Sequence, residues 1–345
     1  MRRLILACAA SLLLYAIAFG LLLDRPLSHG FLRDRLETKL TRGATIDGRK
    51  LVIIAGSNGP YSHRCEVMEP ILGLACVNAG VAVGIGLDYL FARWKPLLRP
   101  GDLVYLPLEQ DQYTRPRAAI TLGPDAAIMV RHDRATLAEL PWDRWAGALF
   151  AFDLRALVMS GIEMGLAASG FVDPRDDATG TVNAWGDQVG HTAARGAASS
   201  AGLAAMNPRH QSAPTIAGGD GTAEVRRFIA WAEAAGVRVI GGLSTGFADV
   251  PVPEATLAAI RAVYVGPAPG RDSRLPPAAF LDLPNHARYP RAWFFDTPDH
   301  LHEDAQRLHA ALVARALVAA GLTTVRGTPA PSGPAKPGGP RSCPR

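Results

Sequence analysis

Short apolar runs alternate along the chain with stretches in which apolar residues recur every three or four positions. Five apolar runs predict buried strands, at residues 51–54, 75–80, 103–108, 237–243 and 278–283. Helical spacing predicts helices at, among other places, 66–74, 87–98, 142–168, 222–235 and 253–263. Because strands and helices alternate, the pattern predicts an α/β protein built on a doubly wound parallel sheet.

Two segments lack this periodicity. Residues 169–220 are rich in Gly, Ala, Ser, Thr and Asn, which fits either a functional loop or a mobile surface loop. Residues 326–345 are rich in Pro and Gly, and we expect this tail to be disordered. A last amphipathic helix is predicted before it, from about His302 to Gly321.

The N-terminus is apolar. Residues 4–23 carry no charge and are long enough to cross a bilayer. Ala16-Ile17-Ala18 resembles a signal cleavage site, but the apolar run continues beyond it, which favours an uncleaved single-pass anchor over a secreted protein. We therefore divide the chain into an anchor (1–25), a polar connector (26–49), an α/β domain (50–325) and the tail.

The composition argues against several classes of protein. The net charge is +5, but the arginines are scattered and do not interleave with aromatic residues, so we expect no nucleic-acid partner. The four cysteines form no Cys-x-x-Cys pair or Cys/His cluster, so we expect no metal and no cofactor. Cys65 and Cys76 fit either a disulfide in an oxidising compartment or two buried thiols.

A serine stands where the first predicted strand ends. The sequence there reads Gly56-Ser57-Asn58-Gly59-Pro60. A glycine beside a serine lets the chain turn sharply and present the hydroxyl, at the sheet edge where ligands bind in open α/β proteins. The alternative is that Ser57 only caps the next helix.

A second polar group precedes the last helix. Asp296, Asp299, His300 and His302 stand within seven residues. A serine nucleophile needs a base to accept its proton, and that base needs an acid to hold its tautomer. A loop with an acid shortly before a histidine supplies both. The alternative is a helix start with acidic capping residues and two solvated histidines.

Together these segments resemble the SGNH/GDSL hydrolase superfamily over about residues 50–322. The serine block after the first strand, the glycine after the second, and the acid with His-Leu before the last helix correspond to Gly56-Ser57-Asn58, Asn78-Ala79-Gly80, and Asp296 with His300-Leu301. The resemblance implies a flavodoxin-like sheet. Residues 115–220 would be an insertion that the minimal fold lacks.

The resemblance also implies roles for individual residues. Ser57 would be the nucleophile, His300 the general base, and Asp296 the acid that orients the histidine. The backbone N–H groups of Ser57 and Gly80 would contribute to the oxyanion hole.

Two features of the chain depart from the family. The usual acid stands three residues before the histidine, a spacing that makes Asp299 and His302 a rival pair, although Leu301 after His300 favours the first pair. The third block normally carries Gly-x-Asn-Asp, whose asparagine donates to the oxyanion, whereas Leu108-Glu109-Gln110 occupies that place.

A carboxylate at Glu109 would repel an oxyanion. Either Gln110, Asn58 or Asn183 replaces the missing donor, or the site is weak or inactive. The side chains that we expect to contact a substrate are Glu109, Gln110, Tyr113, Asn183 and Asp187.

A membrane anchor joined to such a domain resembles bacterial proteins that add or remove acyl groups on envelope polysaccharides. The implied function is a serine esterase or O-acyltransferase acting on an acylated glycan or similar ester through an acyl-enzyme. The implied location is the inner membrane, reached through residues 4–23, with the domain facing the periplasm.

The alternative to an enzyme is an inactive domain that binds glycan or a partner protein through residues 169–220. A phosphate site at residues 56–59 is less favoured, because Pro60 lacks a donor.

Overall fold

The computed structural model describes residues 1–22, 27–151, 154–171, 182–265 and 278–323. Its strands are β1 Lys50–Ile53, β2 Ala75–Asn78, β3 Leu103–Leu106, β4 Arg238–Gly242, β5 Gly246–Phe247, β6 Ala279–Leu281 and β7 Arg288–Tyr289. Five of them form one parallel sheet in the order β2-β1-β3-β4-β6, and β5 pairs with β7. Each strand of the large sheet overlaps one of the five predicted runs, so the prediction of an α/β protein with a parallel sheet is confirmed.

The large sheet is buried on both faces. Leu51, Val52 and Ile53 of β1 are completely buried, which is why the strand is apolar without alternation. The chain runs from β1 outward to β2 and then returns past β1 to β3. At such a switch point the loops that follow β1 and β3 diverge, and they leave a crevice at the carboxyl edge of the sheet.

The helices occupy the predicted stretches and add several short ones. They are α1 Arg2–Leu22, α2 Leu27–Thr45, α3 Asn58–Ser62, α4 Cys65–Leu72, α5 Leu87–Trp94, α6 Gln110–Thr114, α7 Arg117–Thr121, α8 Pro124–His132, α9 Arg134–Glu139, α10 Trp142–Ala148, α11 Leu154–Ala168, α12 Ala193–Gly196, α13 Ser200–Ala205, α14 Ala213–Gly218, α15 Asp220–Ala234, α16 Glu254–Tyr264 and α17 Glu303–Ala319. The tail expected to be disordered, at 326–345, lies outside the described residues.

The segment expected to be a polar connector forms α2 and belongs to the core. Leu36 and Leu40 pack into the main apolar cluster. Lys39 is completely buried, and its Nζ donates to the carbonyl oxygens of Gly80 at 2.5 Å and Gly186 at 2.8 Å. Burial lowers the pKa of Lys39 well below its usual value. A helix that appears polar in sequence is therefore tied to the loop after β2.

A buried ionic cluster attaches the first part of the insertion to the sheet domain. The guanidinium of Arg144, on α10, is completely buried between Asp125 of α8 and Asp88 of α5. Arg117 of α7 also bonds Asp88, at 2.9 Å. Removing one partner of such a cluster would leave an uncompensated buried charge, so these side chains fix the position of α7, α8 and α10.

Cys65 and Cys76 are joined by a disulfide, the first of the two alternatives that the sequence left open. Their Cα atoms lie 5.2 Å apart, and the bond connects the start of α4 to β2. The bond closes a short loop and restricts the unfolded chain. It is consistent with an oxidising compartment.

We expect removal of this disulfide to destabilise the domain. Replacing Cys65 and Cys76 by alanine should lower the free energy of unfolding by about 3 kcal/mol, because the unfolded chain regains loop entropy. Urea unfolding of the detergent-solubilised chain measures this loss. Cys8→Ala, at an exposed free cysteine on α1, is the matched control and should leave the unfolding midpoint unchanged. Equal midpoints for all three proteins would contradict the expectation.

Two histidines are buried behind α3. His63 is completely buried, with its ring 4.9 Å from that of His309 on α17 and 5.5 Å from that of Tyr105. Its nitrogens lie near the carbonyls of Asn58 and Gly59 without a hydrogen bond of standard geometry. Burial lowers the pKa of His63 to about 4. The folded protein therefore holds this ring neutral.

This burial predicts acid sensitivity. His63 takes up a proton on unfolding below its ordinary pKa, so its contribution to stability is complete above about pH 6.5 and is lost as the pH falls toward about 4. The wild type should lose about 2 kcal/mol more than His63→Phe between about pH 7 and about pH 5. Urea unfolding at each pH measures the difference. His132→Phe, at an exposed histidine on α8, is the control, and parallel pH curves for wild type and His63→Phe would contradict the assignment.

Candidate active site

Ser57 lies at the N-terminus of α3, directly after the extended segment that continues β1. Gly56 makes the turn possible, because a Cβ atom there would lie 2.6 Å from Cγ2 of Val83 and 2.7 Å from Oε1 of Glu109. The Ser57 side chain makes no capping hydrogen bond to α3. The capping alternative therefore does not account for this serine, whose hydroxyl remains available for other contacts.

The start of α3 packs directly against the loop after β2. A Cβ atom at Gly80 would lie 2.8 Å from the Cα atom of Gly59 and 2.7 Å from Cδ of Pro60. Both loops therefore need glycine at this crossing. The N–H group of Gly80 has only a long contact, 3.4 Å, with Oδ1 of Asn78. Because Gly80 packs on Gly59 and Pro60, its amide lies beside α3. The resemblance places an oxyanion donor at this position.

The residues before α17 form a closed turn that presents His300. Phe294 and Leu301 pair as an antiparallel bridge, and the N–H of Phe295 donates to the carbonyl of His300 at 2.8 Å. Leu301 is completely buried and fixes the end of the turn. The backbone around His300 is therefore held from both sides.

His300 and Asp296 form the expected acid–base pair. His300 Nδ1 lies 2.7 Å from Oδ1 of Asp296. The His300 ring is stacked on Tyr61 of α3, with centroids 4.1 Å apart. Only 12% of the histidine side chain is exposed. With Nδ1 and one ring face occupied, Nε2 is the nitrogen left to exchange a proton.

The rival pair has a different arrangement. His302 precedes α17, and its Nδ1 accepts from the N–H of Ala305 at 3.4 Å, so it caps that helix. Asp299 lies close to Glu109, Arg288 and His300, and among the described residues no hydrogen bond or ion pair joins it to His302. The geometry therefore favours His300 with Asp296 over His302 with Asp299.

Helix α3 connects the serine to the histidine. The N–H of Tyr61 donates to the carbonyl of Ser57 at 3.3 Å, and the Tyr61 ring stacks on the ring of His300. Ser62 Oγ donates to the carbonyl of Asp299 at 2.8 Å, which docks the same helix on the turn before α17. Within the described part of the chain, Ser57 Oγ makes no hydrogen bond to His300. Such contacts are often long in unliganded enzymes and shorten when substrate binds.

Glu109 contacts the residue that directly follows Ser57. Its Oε1 accepts from the N–H of Asn58 at 3.3 Å, and its carboxyl also caps α6 by accepting from the N–H of Gln112. Gln112 in turn holds the N–H of Gly56 at 3.0 Å. Glu109, which stands where the resemblance would place an asparagine, is thus bonded to the loop that carries Ser57.

Burial changes the expected charge of Glu109. Loss of solvation, followed by the nearby charge of Asp299, raises the pKa of Glu109 well above its usual value. Burial also raises the pKa of Asp299, but His300 and Arg288 favour its ionised form. Arg115 lowers the pKa of Glu109 less than burial and Asp299 raise it, so Glu109 binds a proton more readily than a solvated glutamate. A protonated carboxyl donates a hydrogen bond instead of repelling an oxyanion.

A cleft of about 180 Å³ opens beside these two acids. Its walls are Glu109, Gln110, Asp111, Pro208, Arg209, His210, Gln211, Ser244, Thr245, Gly246, Phe247, Val250, Arg288, Pro298 and Asp299. Ser57 and His300 do not line it themselves, but Glu109 bonds the amide next to Ser57, and Asp299 directly precedes His300. The wall of the cleft therefore contains a residue bonded to the Ser57 loop and the residue that precedes His300.

The other proposed oxyanion donors are already engaged. Asn58 is buried, and its Nδ2 donates to the carbonyl of Pro107 at 2.6 Å. Gln110 faces the cleft, but its amide bonds His210 at 2.8 Å and the N–H of Gln211 at 2.7 Å. Asn183 holds the loop around Trp185 and Asp187. Glu109 is the remaining side chain that can replace the absent asparagine.

Two of the expected substrate contacts are structural in this fold. Tyr113 is completely buried, and its hydroxyl bonds that of Tyr264 at 2.7 Å. Asp187 is also completely buried and accepts from the N–H groups of Cys65 at 2.9 Å and Glu66 at 3.2 Å. A carboxylate at these amides stabilises the start of α4. Glu109 and Gln110 line the cleft.

Tyr61 and Arg288 are site residues that the sequence did not indicate. Tyr61 stands one helical turn after Ser57, and that spacing is the one signal that could have identified it. Arg288 comes from β7, far along the chain, and no local pattern marks it. Among the described residues, no group of three or more His, Cys, Asp and Glu side chains is arranged to hold a metal ion.

Comparison with known proteins adds no further assignment. The chain matches no family model, no curated protein and no solved structure.

Proposed function

We propose that this protein is an SGNH-type serine esterase or O-acyltransferase that acts on an acylated envelope glycan or a similar ester. The observation that carries the proposal is the pairing of His300 with Asp296 on a turn that is stacked, through Tyr61, on the helix that follows Ser57. The strand order β2-β1-β3-β4-β6 supports it, because flavodoxin-like sheets have this order.

The proposed reaction has two halves. Ser57 Oγ attacks the ester carbonyl while its proton passes to Nε2 of His300, and Asp296 stabilises the imidazolium through Nδ1. Collapse of the tetrahedral intermediate breaks the ester C–O bond, and His300 returns the proton to the leaving alcohol. Water or a sugar hydroxyl then attacks the acyl-enzyme, and His300 accepts and returns a proton in the same way.

The oxyanion requires donors near Ser57. The backbone N–H groups of Ser57 and Gly80 supply two of them in this proposal, and protonated Glu109 supplies the third. Lys39 Nζ donates to the carbonyl of Gly80, which holds in place the peptide that directly follows this donor.

The proposed location is the cell envelope. α1 is long and apolar enough to span a membrane, a property that signal sequences share. The disulfide between Cys65 and Cys76 supports exposure to an oxidising compartment, as in the periplasm. We propose that α1 remains attached and anchors the domain to the inner membrane.

We expect the full-length protein in detergent to cleave a short-chain aryl ester. Ser57→Ala and His300→Ala should each abolish the activity, because each removes one partner of the proton transfer. Asp296→Asn should lower kcat by about 10²–10⁴-fold, since it loses the acceptor that orients His300. Release of the aryl alcohol measures the rate.

His302→Ala is the control for the histidine variants. His302 caps α17 instead of facing Asp296, so its replacement should leave kcat within about threefold of the wild type while lowering stability slightly. Unchanged kcat in Ser57→Ala would rule out the proposed mechanism, in which Ser57 is the nucleophile. Loss of activity in His302→Ala alone would instead support the rival pair.

The proposed state of Glu109 predicts a specific pH dependence. Glu109→Gln keeps a neutral donor and should retain most of kcat, whereas Glu109→Ala should lose about 10²–10³-fold. Because ionised Glu109 would repel the oxyanion, wild-type kcat should fall at alkaline pH, and Glu109→Gln should lack this fall. Initial rates across the pH range measure both effects. Equal impairment of the two variants, or higher activity in Glu109→Ala, would contradict the role.

An inactive binding domain is the second candidate, and two observations favour it. A glutamate replaces the usual donor, and Ser57 makes no hydrogen bond to His300 among the described residues. Covalent labelling of Ser57 by an organophosphonate separates the candidates. An esterase should be labelled at this serine and lose the label in His300→Ala, whereas an inactive domain should not react.

A further inference from the structure

Helix α11 exposes a long apolar surface. Leu154, Val158 and Ile162 recur at intervals of four, and their side chains are 78%, 54% and 51% exposed. Arg155 and Glu163 are the two charged residues of α11. Soluble proteins rarely expose a contiguous apolar surface of this kind to water. This surface therefore marks a site of contact with a protein or a membrane.

The same helix packs against α1. Leu157 of α11 lies in a small apolar cluster with Tyr15 and Phe19 of α1. Tyr15 also stacks on Phe150, with ring centroids 5.9 Å apart, and its hydroxyl donates to the carbonyl of Leu149 at 3.2 Å. The exposed face of α11 is therefore continuous with the surface of α1.

The contact occurs near the C-terminal end of α1. Tyr15 stands seven residues before Leu22, the last residue of α1, which is about 10 Å along the helix axis. With α1 across a hydrocarbon core of about 30 Å, Tyr15 lies in the acyl-chain region, and Phe19 lies about 5 Å from the end of α1 in the leaflet that faces the domain. At this depth the Tyr15 hydroxyl and the Leu149 carbonyl satisfy each other.

We propose that α11 lies in the interfacial region of the bilayer beside α1, so that the domain is held to the membrane by a second apolar surface. The partner is the phospholipid leaflet. The side chains of α1 are also exposed along most of its length, as at Leu6, Leu14 and Leu21. The acyl chains of the leaflet would cover the exposed faces of both α1 and α11. A second copy of the chain docked on α11 would leave α1 exposed to water.

This placement restricts the orientation of the domain. A single spanning helix by itself leaves an attached domain free to rotate about the membrane normal and to tilt. A second helix in the interface removes the tilt, because lifting α11 from the lipid exposes its apolar face to water. The inference depends on α1 remaining attached, but it does not depend on the esterase proposal.

Tryptophan quenching by brominated phosphatidylcholine tests the proposal with the full-length protein in vesicles. Bromine on the acyl chain quenches tryptophan on contact, so Val158→Trp should add fluorescence of which about half is lost in brominated vesicles. Leu308→Trp is the matched control, since Leu308 on α17 is 59% exposed and α17 packs against α3 and α4. Its added fluorescence should be the same in both kinds of vesicle.

The unsubstituted chain supplies the baseline from the native tryptophans, which is subtracted from each variant. Ile162→Trp, one turn further along the same face, replaces Val158→Trp if that variant does not fold, as judged by circular dichroism. Equal quenching at residues 158 and 308 would overturn the proposal. So would unquenched fluorescence at 158 together with cross-linking of two copies through α11, because a second copy would then cover this face.

Discussion

The close contact between Gly59 and Gly80 is the constraint on which the site depends. With no side chain at either position, the start of α3 lies against the loop after β2, and a Cβ atom at Gly80 would be 2.8 Å from the Cα atom of Gly59. This contact sets the direction of α3, which in turn places Ser57 at its start and Tyr61 against His300. Lys39 reinforces the contact from the other side through the Gly80 carbonyl.

Local patterns were sufficient to predict the strands and the residues that follow them. The strand at 51–54, the position of Ser57 and the Asp296–His300 pair all follow from neighbouring residues, because burial on both faces and loop chemistry act over short distances. The burial of Lys39 and Tyr113 could not be predicted in this way, because each side chain bonds a residue that is distant in sequence. Lys39 bonds the carbonyl of Gly186, and Tyr113 bonds the hydroxyl of Tyr264.

Glu109 shows how burial can reverse the meaning of a residue. As a solvated carboxylate it would oppose an oxyanion, and the sequence alone therefore left open whether another donor replaces it or the site is weak or inactive. In the fold it is enclosed beside Asp299, and these two effects raise its pKa more than Arg115 lowers it, so burial shifts Glu109 toward the neutral acid. The same atoms that would obstruct the reaction when charged can donate to it when protonated.

The surroundings of His300 also constrain the second half of the proposed reaction. Asp296 occupies Nδ1 and Tyr61 covers one ring face, so the leaving alcohol and the incoming acceptor must use Nε2 in turn. The adjacent cleft of about 180 Å³ is large enough to hold several water molecules. In the proposed reaction, a sugar bound there would displace this water. Occupancy of the cleft by an acceptor, rather than a different catalytic residue, would therefore decide between transfer and hydrolysis.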